Sequence, residues 1–189
     1  MVGIFLLQIL IPGFTDLFLL TSHAFQEPWR FLTAIFLHGS VTHLLYNLFA
    51  LILFGFILER LIGSRRFLMV FFVSGIVANL FSVFFYPQAL GASGAIFGVI
   101  GALTAIRPLM MVWAFSLPMP LFLASILWAV GDFLGVFFPQ GTANLAHLSG
   151  LALGLLIGVF LREKRIYGNP SQIRLDEGHM RNWEDTFMR

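Results

Sequence analysis

Gly91-Ala92-Ser93-Gly94-Ala95-Ile96-Phe97-Gly98 places three glycines and a serine at the head of an apolar run that meets no charge until Arg107. Glycine at 91 permits a sharp turn that a side chain would block. The run beyond it has helical character, so Ser93 falls at or near a helix N-terminus, where the first backbone N–H groups have no intrahelical partner. A hydroxyl beside free amide donors suits a nucleophile next to an oxyanion. The same pattern also reads as a helix cap among small packing residues. His43 and Asn47, four apart, share a helical face. Both can donate hydrogen bonds, as an oxyanion hole requires, or can make an ordinary interhelical polar contact. His147 heads the last apolar run, and Asp132 is the one acid inside an expected span. An intramembrane acid invites a functional role, here the orientation of His147; a packing or capping role is the preferred reading. His38 lies five residues before His43, a poor match for a common face. No His-Glu-x-x-His or carboxylate cluster accompanies the histidines, which argues against a zinc protease. Neither metal nor cofactor is expected.

The elements that must position these groups are membrane helices. Of 189 residues, 59% are hydrophobic and 11% charged, against about a quarter charged in soluble domains. The chain reads as an all-α, polytopic membrane protein with room for about six spans of roughly twenty residues. No cysteine is present, which excludes disulfides and thiolate chemistry. A net charge of +2 gives no reason to expect a nucleic-acid partner.

Six helices follow from the apolar runs. A short first helix over Met1–Ile11 precedes an interfacial stretch, Phe14 to Leu20. No Lys or Arg comes before Arg30, so this start does not resemble a signal peptide with a basic region. His23 to Ser40 reads as a loop, with Trp29-Arg30 at the boundary where Trp concentrates and Arg reaches headgroups. The remaining helices are expected over 41–58, 67–85, 93–107, 119–138 and 144–161. Residues 1–161 thus form the transmembrane domain, and 162–189 a solvated polar tail. If loops alternate sides, ten of the eleven Lys and Arg share one face and only Arg30 lies on the other. The positive-inside rule makes that face cytoplasmic, with both termini inside.

Depth then aligns the polar groups. Ser93 lies fourteen residues before Arg107, His147 fifteen before Arg162, Asn47 thirteen and His43 seventeen before Arg60. At 1.5 Å per residue all four sit about 20 to 26 Å above the cytoplasmic boundary of a core about 30 Å thick. The fourth helix, about 22 Å long, is too short to span. The loop before it must dip into the membrane, which is tolerated where protein or a hydrated cavity surrounds it. Gly150, Gly154 and Gly158 form a smooth stripe below His147, matched by Gly94, Gly98 and Ala102. Their contact would bring Ser93 and His147 within hydrogen-bonding reach.

At these residues the chain resembles a rhomboid intramembrane serine protease of the prokaryotic, six-helix core type. The resemblance covers about Trp29 to Val159. It rests on Trp29-Arg30, His38 with His43-x-x-x-Asn47, Glu59-x-x-x-Gly63-Ser64, Gly91-x-Ser93-Gly94 and Ala146-His147-x-x-Gly150-x-x-x-Gly154. It implies a six-helix bundle whose short fourth helix starts inside the membrane. Chemically, it implies a Ser–His dyad without a required acid, Ser93 as nucleophile and His147 as base, with His43, Asn47 and the Ser93 amide on the oxyanion. Phe97 matches an aromatic position, often tyrosine, that packs on the catalytic histidine; without the hydroxyl only stacking remains. The short first helix is the main departure. Implied partners are transmembrane protein substrates and the lipid bilayer; helix five, with Trp128 and several phenylalanines, is our candidate for a lateral gate. The implied location is the cell membrane, the site opening toward the extracellular or periplasmic side. The competing readings are a catalytically silent rhomboid-like protein that binds membrane clients and, less favoured, a transporter, for which no inverted repeat is visible.

Overall fold

The computed structural model describes residues 1–138 and 141–166. Six principal helices carry the fold: α1 (Val2–Leu10), α2 (Val41–Ile62), α3 (Ser64–Phe85), α4 (Ser93–Ile106), α5 (Leu121–Phe137) and α6 (Asn144–Ile166). Among the described residues, only α2, α3 and the Asn144–Arg162 part of α6 are long and apolar enough to cross a membrane unaided. α1 and α4 are short, as their apolar runs led us to expect, while α5, at 17 residues, falls short of the expected 119–138. This is a helical membrane bundle all the same. Helix ends move from the expected bounds where a charged pair proved compatible with helix: α2 runs through Glu59-Arg60 to Gly63, and α3 begins at Ser64. α6 continues past Leu161, so residues 162–166 are helical rather than tail. The rest of the expected polar tail, 167–189, lies outside the described residues.

α4 occupies the centre. Eleven of its fourteen residues are buried, as a helix apolar on every face should be. Small side chains permit this on two sides at once. Toward α6, a Cβ added at Gly150, Gly154 or Gly158 would land on the backbone of Gly94, Gly98 or Ala102. Toward α3, Gly94 meets Ala78 and Gly98 meets Ser74 with no room for a methyl. Lipid tails are as apolar as leucine, so helix contact in a membrane rests on close packing, and glycine rows allow the closest approach. The expected α4–α6 stripe is therefore the central contact of the fold, extended by Gly101, whose α-carbon abuts the Leu151 carbonyl.

The segment between α1 and α2 is a folded clasp. It holds a short helix at Phe14–Phe18, strand β1 (Leu20–Thr21), a 3-10 turn at Ser22–Phe25 and a short helix at Arg30–Thr33. β1 pairs antiparallel with β2 (Gln88–Ala89), just before α4. Arg30 departs from the boundary role expected of it. It is 7% exposed and its guanidinium donates to Glu27 Oε2 at 2.6 Å and to the carbonyls of Asp16 and Leu19, each at 2.7 Å. The reason is geometric: a rigid five-donor fork can satisfy several acceptors that the curled clasp leaves without partners. Trp29 is half exposed.

One element has no counterpart in the sequence reading. β3 (Met111–Ala114) and β4 (Leu117–Pro120) form an antiparallel hairpin between α4 and α5. Its turn residues, Phe115 and Ser116, adopt positive φ of 53° and 63°, the primed geometry that suits two-residue hairpins but ordinarily selects Asn or Gly. With neither residue present, the turn carries no sequence signature.

Gly154→Ala should lower the thermal midpoint in detergent, by about 1–3 kcal/mol of stability or more, because backbone cannot give way as a side chain can. Gly131→Ala, where an added Cβ meets nothing within 4 Å, should leave the midpoint unchanged. Equal effects at the two positions would count against the packing account.

Candidate active site

Ser93 is the first residue of α4, held by a turn that three contacts determine. Gly91 adopts φ +121°, open to glycine and rarely to other residues, and donates its N–H to the Ala34 carbonyl at 2.9 Å. An added Cβ there would come within 2.7 Å of His43 Cε1, so the glycine also makes room for that ring. Ala92 is fully buried behind the serine. Among the described residues, no backbone carbonyl receives the Ser93 N–H, leaving it available as the expected orphan donor.

His147 lies in the first turn of α6, on the side facing α4. Its ring stacks on Phe97, centroids 4.4 Å apart and planes within 4°. Its Nδ1 is 2.9 Å from Asp132 Oδ1 on α5. The preferred expectation for Asp132, packing or capping, is therefore corrected: its carboxylate contacts the imidazole. Two helical residues fifteen apart in sequence, separated by a turn, give no periodic signal of such a meeting. Tyr86 supports the start of α6 by accepting the Leu145 N–H at 3.1 Å.

His43 and Asn47 share the inner face of α2. Asn47 is buried, and one amide hydrogen is committed to the His43 carbonyl at 2.9 Å. The other remains for a second acceptor. Ser40 caps this helix, its Oγ accepting the His43 N–H at 3.1 Å. Immediately below Asn47 the helix widens into a π-helical stretch, Leu51–Gly55.

One cavity of about 1140 Å³ gathers Ser93, His147, His43, Asn47 and Phe97, and extends between α2 and α5 toward Phe54, Trp113 and Trp128. Each expected polar site residue thus reaches a common space. Gly94, Gly150 and Gly154 lie beneath it in the α4–α6 contact. The direct Ser93–His147 hydrogen bond expected from close helix approach is not formed among the described contacts; apo sites often leave such bonds long. Trp128 does sit at the α2–α5 seam, edge-on to Phe54 with centroids 6.1 Å apart.

His38, outside the spanning helices, is the residue whose setting the sequence least revealed. It is 2% exposed, holds Phe36 O at 3.2 Å through Nδ1, and meets the His43 ring edge-on at 5.1 Å. Its backbone N–H and C=O are both bound by the Gln8 side chain, at 3.0 and 3.2 Å. Burial first, then neighbouring His43, lower its pKa from 6.5 to about 4, so it is neutral where the site would work.

Comparisons with known proteins bear on the same residues. The family description "Rhomboid domain" matches residues 26–164. RHOMBOID-like protein 4 of Arabidopsis thaliana is 32% identical over 145 residues, covering 76% of this chain and 36% of that protein. Rhomboid protease GluP of Bacillus subtilis (strain 168) is 49% identical over 79 residues, 41% of this chain and 15% of that protein. Putative rhomboid protease YdcA of the same organism is 46% identical over 78 residues, 40% of this chain and 39% of that protein. Plant and bacterial relatives alike match, so the likeness does not single out a prokaryotic type. The chain spans between 36% and 44% of the length of three of its plant relatives.

A group whose folded pKa lies below its unfolded value contributes stability above the unfolded value, and this is lost as pH falls. For His38 the loss should run from about pH 6.5 down to about 4. Thermal midpoints in detergent should fall across that window, and His38→Gln should flatten the fall. An unchanged slope would refute the assignment.

Proposed function

The chain belongs to the rhomboid family, and from that premise we propose that it is an intramembrane serine endopeptidase, hydrolysing peptide bonds in or near the transmembrane helices of membrane proteins. The observation that carries the reading is the cavity itself. It joins a serine on free helix-terminal amides to a histidine already locked by stacking and a hydrogen bond.

In this reading His147 Nε2 takes the Ser93 hydroxyl proton as Oγ attacks the scissile carbonyl carbon, then returns it to the leaving amine. Water, deprotonated by the same nitrogen, releases the acyl group. The tetrahedral oxyanion is met by the Ser93 N–H, the His43 ring N–H and the uncommitted Asn47 amide hydrogen. Shared depth near the outer boundary lets water enter while the substrate arrives from lipid. The substrate helix must unwind locally, because an intact helix holds its carbonyls in hydrogen bonds. The passage between α2 and α5, past Phe54 and Trp128, is the proposed route of entry. In this reading the protein lies in the cell membrane with both termini cytoplasmic and the site opening outward, an orientation supported by the distribution of basic residues. No cofactor takes part.

A client-binding protein without activity would not need Ser93 and His147 together in one cavity. A serine-directed fluorophosphonate should label the purified protein and fail to label Ser93→Ala. With a single-span substrate, Ser93→Ala and His147→Ala should abolish cleavage, and Asn47→Ala should cost about 10² to 10³ in rate. Cleavage retained by Ser93→Ala would refute the proposal.

A further inference from the structure

Asp132 is the single acid among the described residues that lies within the body of a membrane-embedded helix rather than in a terminal turn. Its side chain is 10% exposed and that of His147 12%. A carboxylate removed from water needs a partner, and an intramembrane acid without one is costly. Among the described residues the only side chain it contacts by hydrogen bond or ion pair is His147. We propose that Asp132 is a positioning residue for His147, so that the site operates as Ser93–His147–Asp132 rather than as an unassisted pair. This deepens the hydrolytic reading and rests on it.

The geometry specifies what the carboxylate does. An ionised carboxylate only accepts, so the 2.9 Å contact places the proton on Nδ1. That choice of tautomer leaves the Nε2 lone pair bare, as required to receive the Ser93 proton. When Nε2 takes it, the imidazolium formed stands beside a negative charge, which stabilises it in a poorly solvated site. Asp132 itself keeps its charge and gives up no proton. Restraint is divided between two partners. Phe97 stacks against the ring face and opposes tilting, while Asp132 holds one edge and opposes rotation within the plane. Stacking alone leaves both tautomers open; only the carboxylate distinguishes them.

The test compares the full chain in detergent, with a single-span substrate, as wild type, Asp132→Asn, Asp132→Ala, Asp132→Glu and Ser93→Ala. Asparagine is isosteric but can donate to Nδ1, which traps the proton on Nε2. Asp132→Asn should therefore lose at least about tenfold in kcat with KM unchanged, and be slower than Asp132→Ala despite packing better. Asp132→Glu should recover part of the rate. The imidazole ¹⁵N spectrum of His147, read without substrate, should show Nδ1 protonated in wild type and Nε2 protonated in Asp132→Asn. Wild-type kcat in Asp132→Asn, an unchanged tautomer, or losses that simply follow the thermal midpoint would overturn the assignment. Cleavage surviving in Ser93→Ala would instead overturn the hydrolytic reading, and the nitrogen spectrum would still decide whether Asp132 sets the proton.

Discussion

Where the carbonyls of Gly94, Gly98 and Ala102 rest against the α-carbons of Gly150, Gly154 and Gly158, two helices meet backbone to backbone. This spacing governs the rest of the molecule. It draws α4 into the bundle centre and brings Ser93 to the same cavity as a histidine on the neighbouring helix. In lipid no water is released when apolar helices meet, so closeness itself must supply the attraction. A single methyl on that seam would meet backbone rather than a side chain that could yield.

The short α4 creates a second demand. Its start lies within the bundle, and the backbone leading to it must be satisfied without lipid-exposed polar groups. The clasp answers this. β1 pairs with β2, Gly91 donates to Ala34, and Arg30 gathers the carbonyls of Asp16 and Leu19. The loop before the serine is thereby tied to a buried charged hub rather than left to the membrane. His38 and His43 complete the wall, one ring edge-on to the other.

Much of this was legible in order and spacing. Uninterrupted apolar runs, bounded by arginine and proline, located the helices because a helix in lipid must be apolar on nearly every exposed face. Glycines four apart marked the α4–α6 seam because helical period turns that spacing into a stripe. Ser93, His147, His43 and Asn47 were grouped by counting residues to the nearest arginine, since rise per residue is constant, and the four line one cavity. Phe97 was placed against His147 by resemblance to the rhomboid family, and the ring stacking has that form.

Composition and period, then, determined the class of protein and its helices, because each is a property of one segment read along its own axis. Tertiary structure alone decided the partners. Orientation of His147 by Asp132 could be named from the sequence but not preferred over packing or capping, since nothing along the chain relates the azimuth of α5 to that of α6. Arg30 read as a boundary residue because two of its three acceptors are backbone carbonyls, which every residue carries and only folding leaves bare. The Met111–Pro120 hairpin has no mark in the sequence because its turn uses Phe115 and Ser116, whose positive φ is imposed by the strands they join.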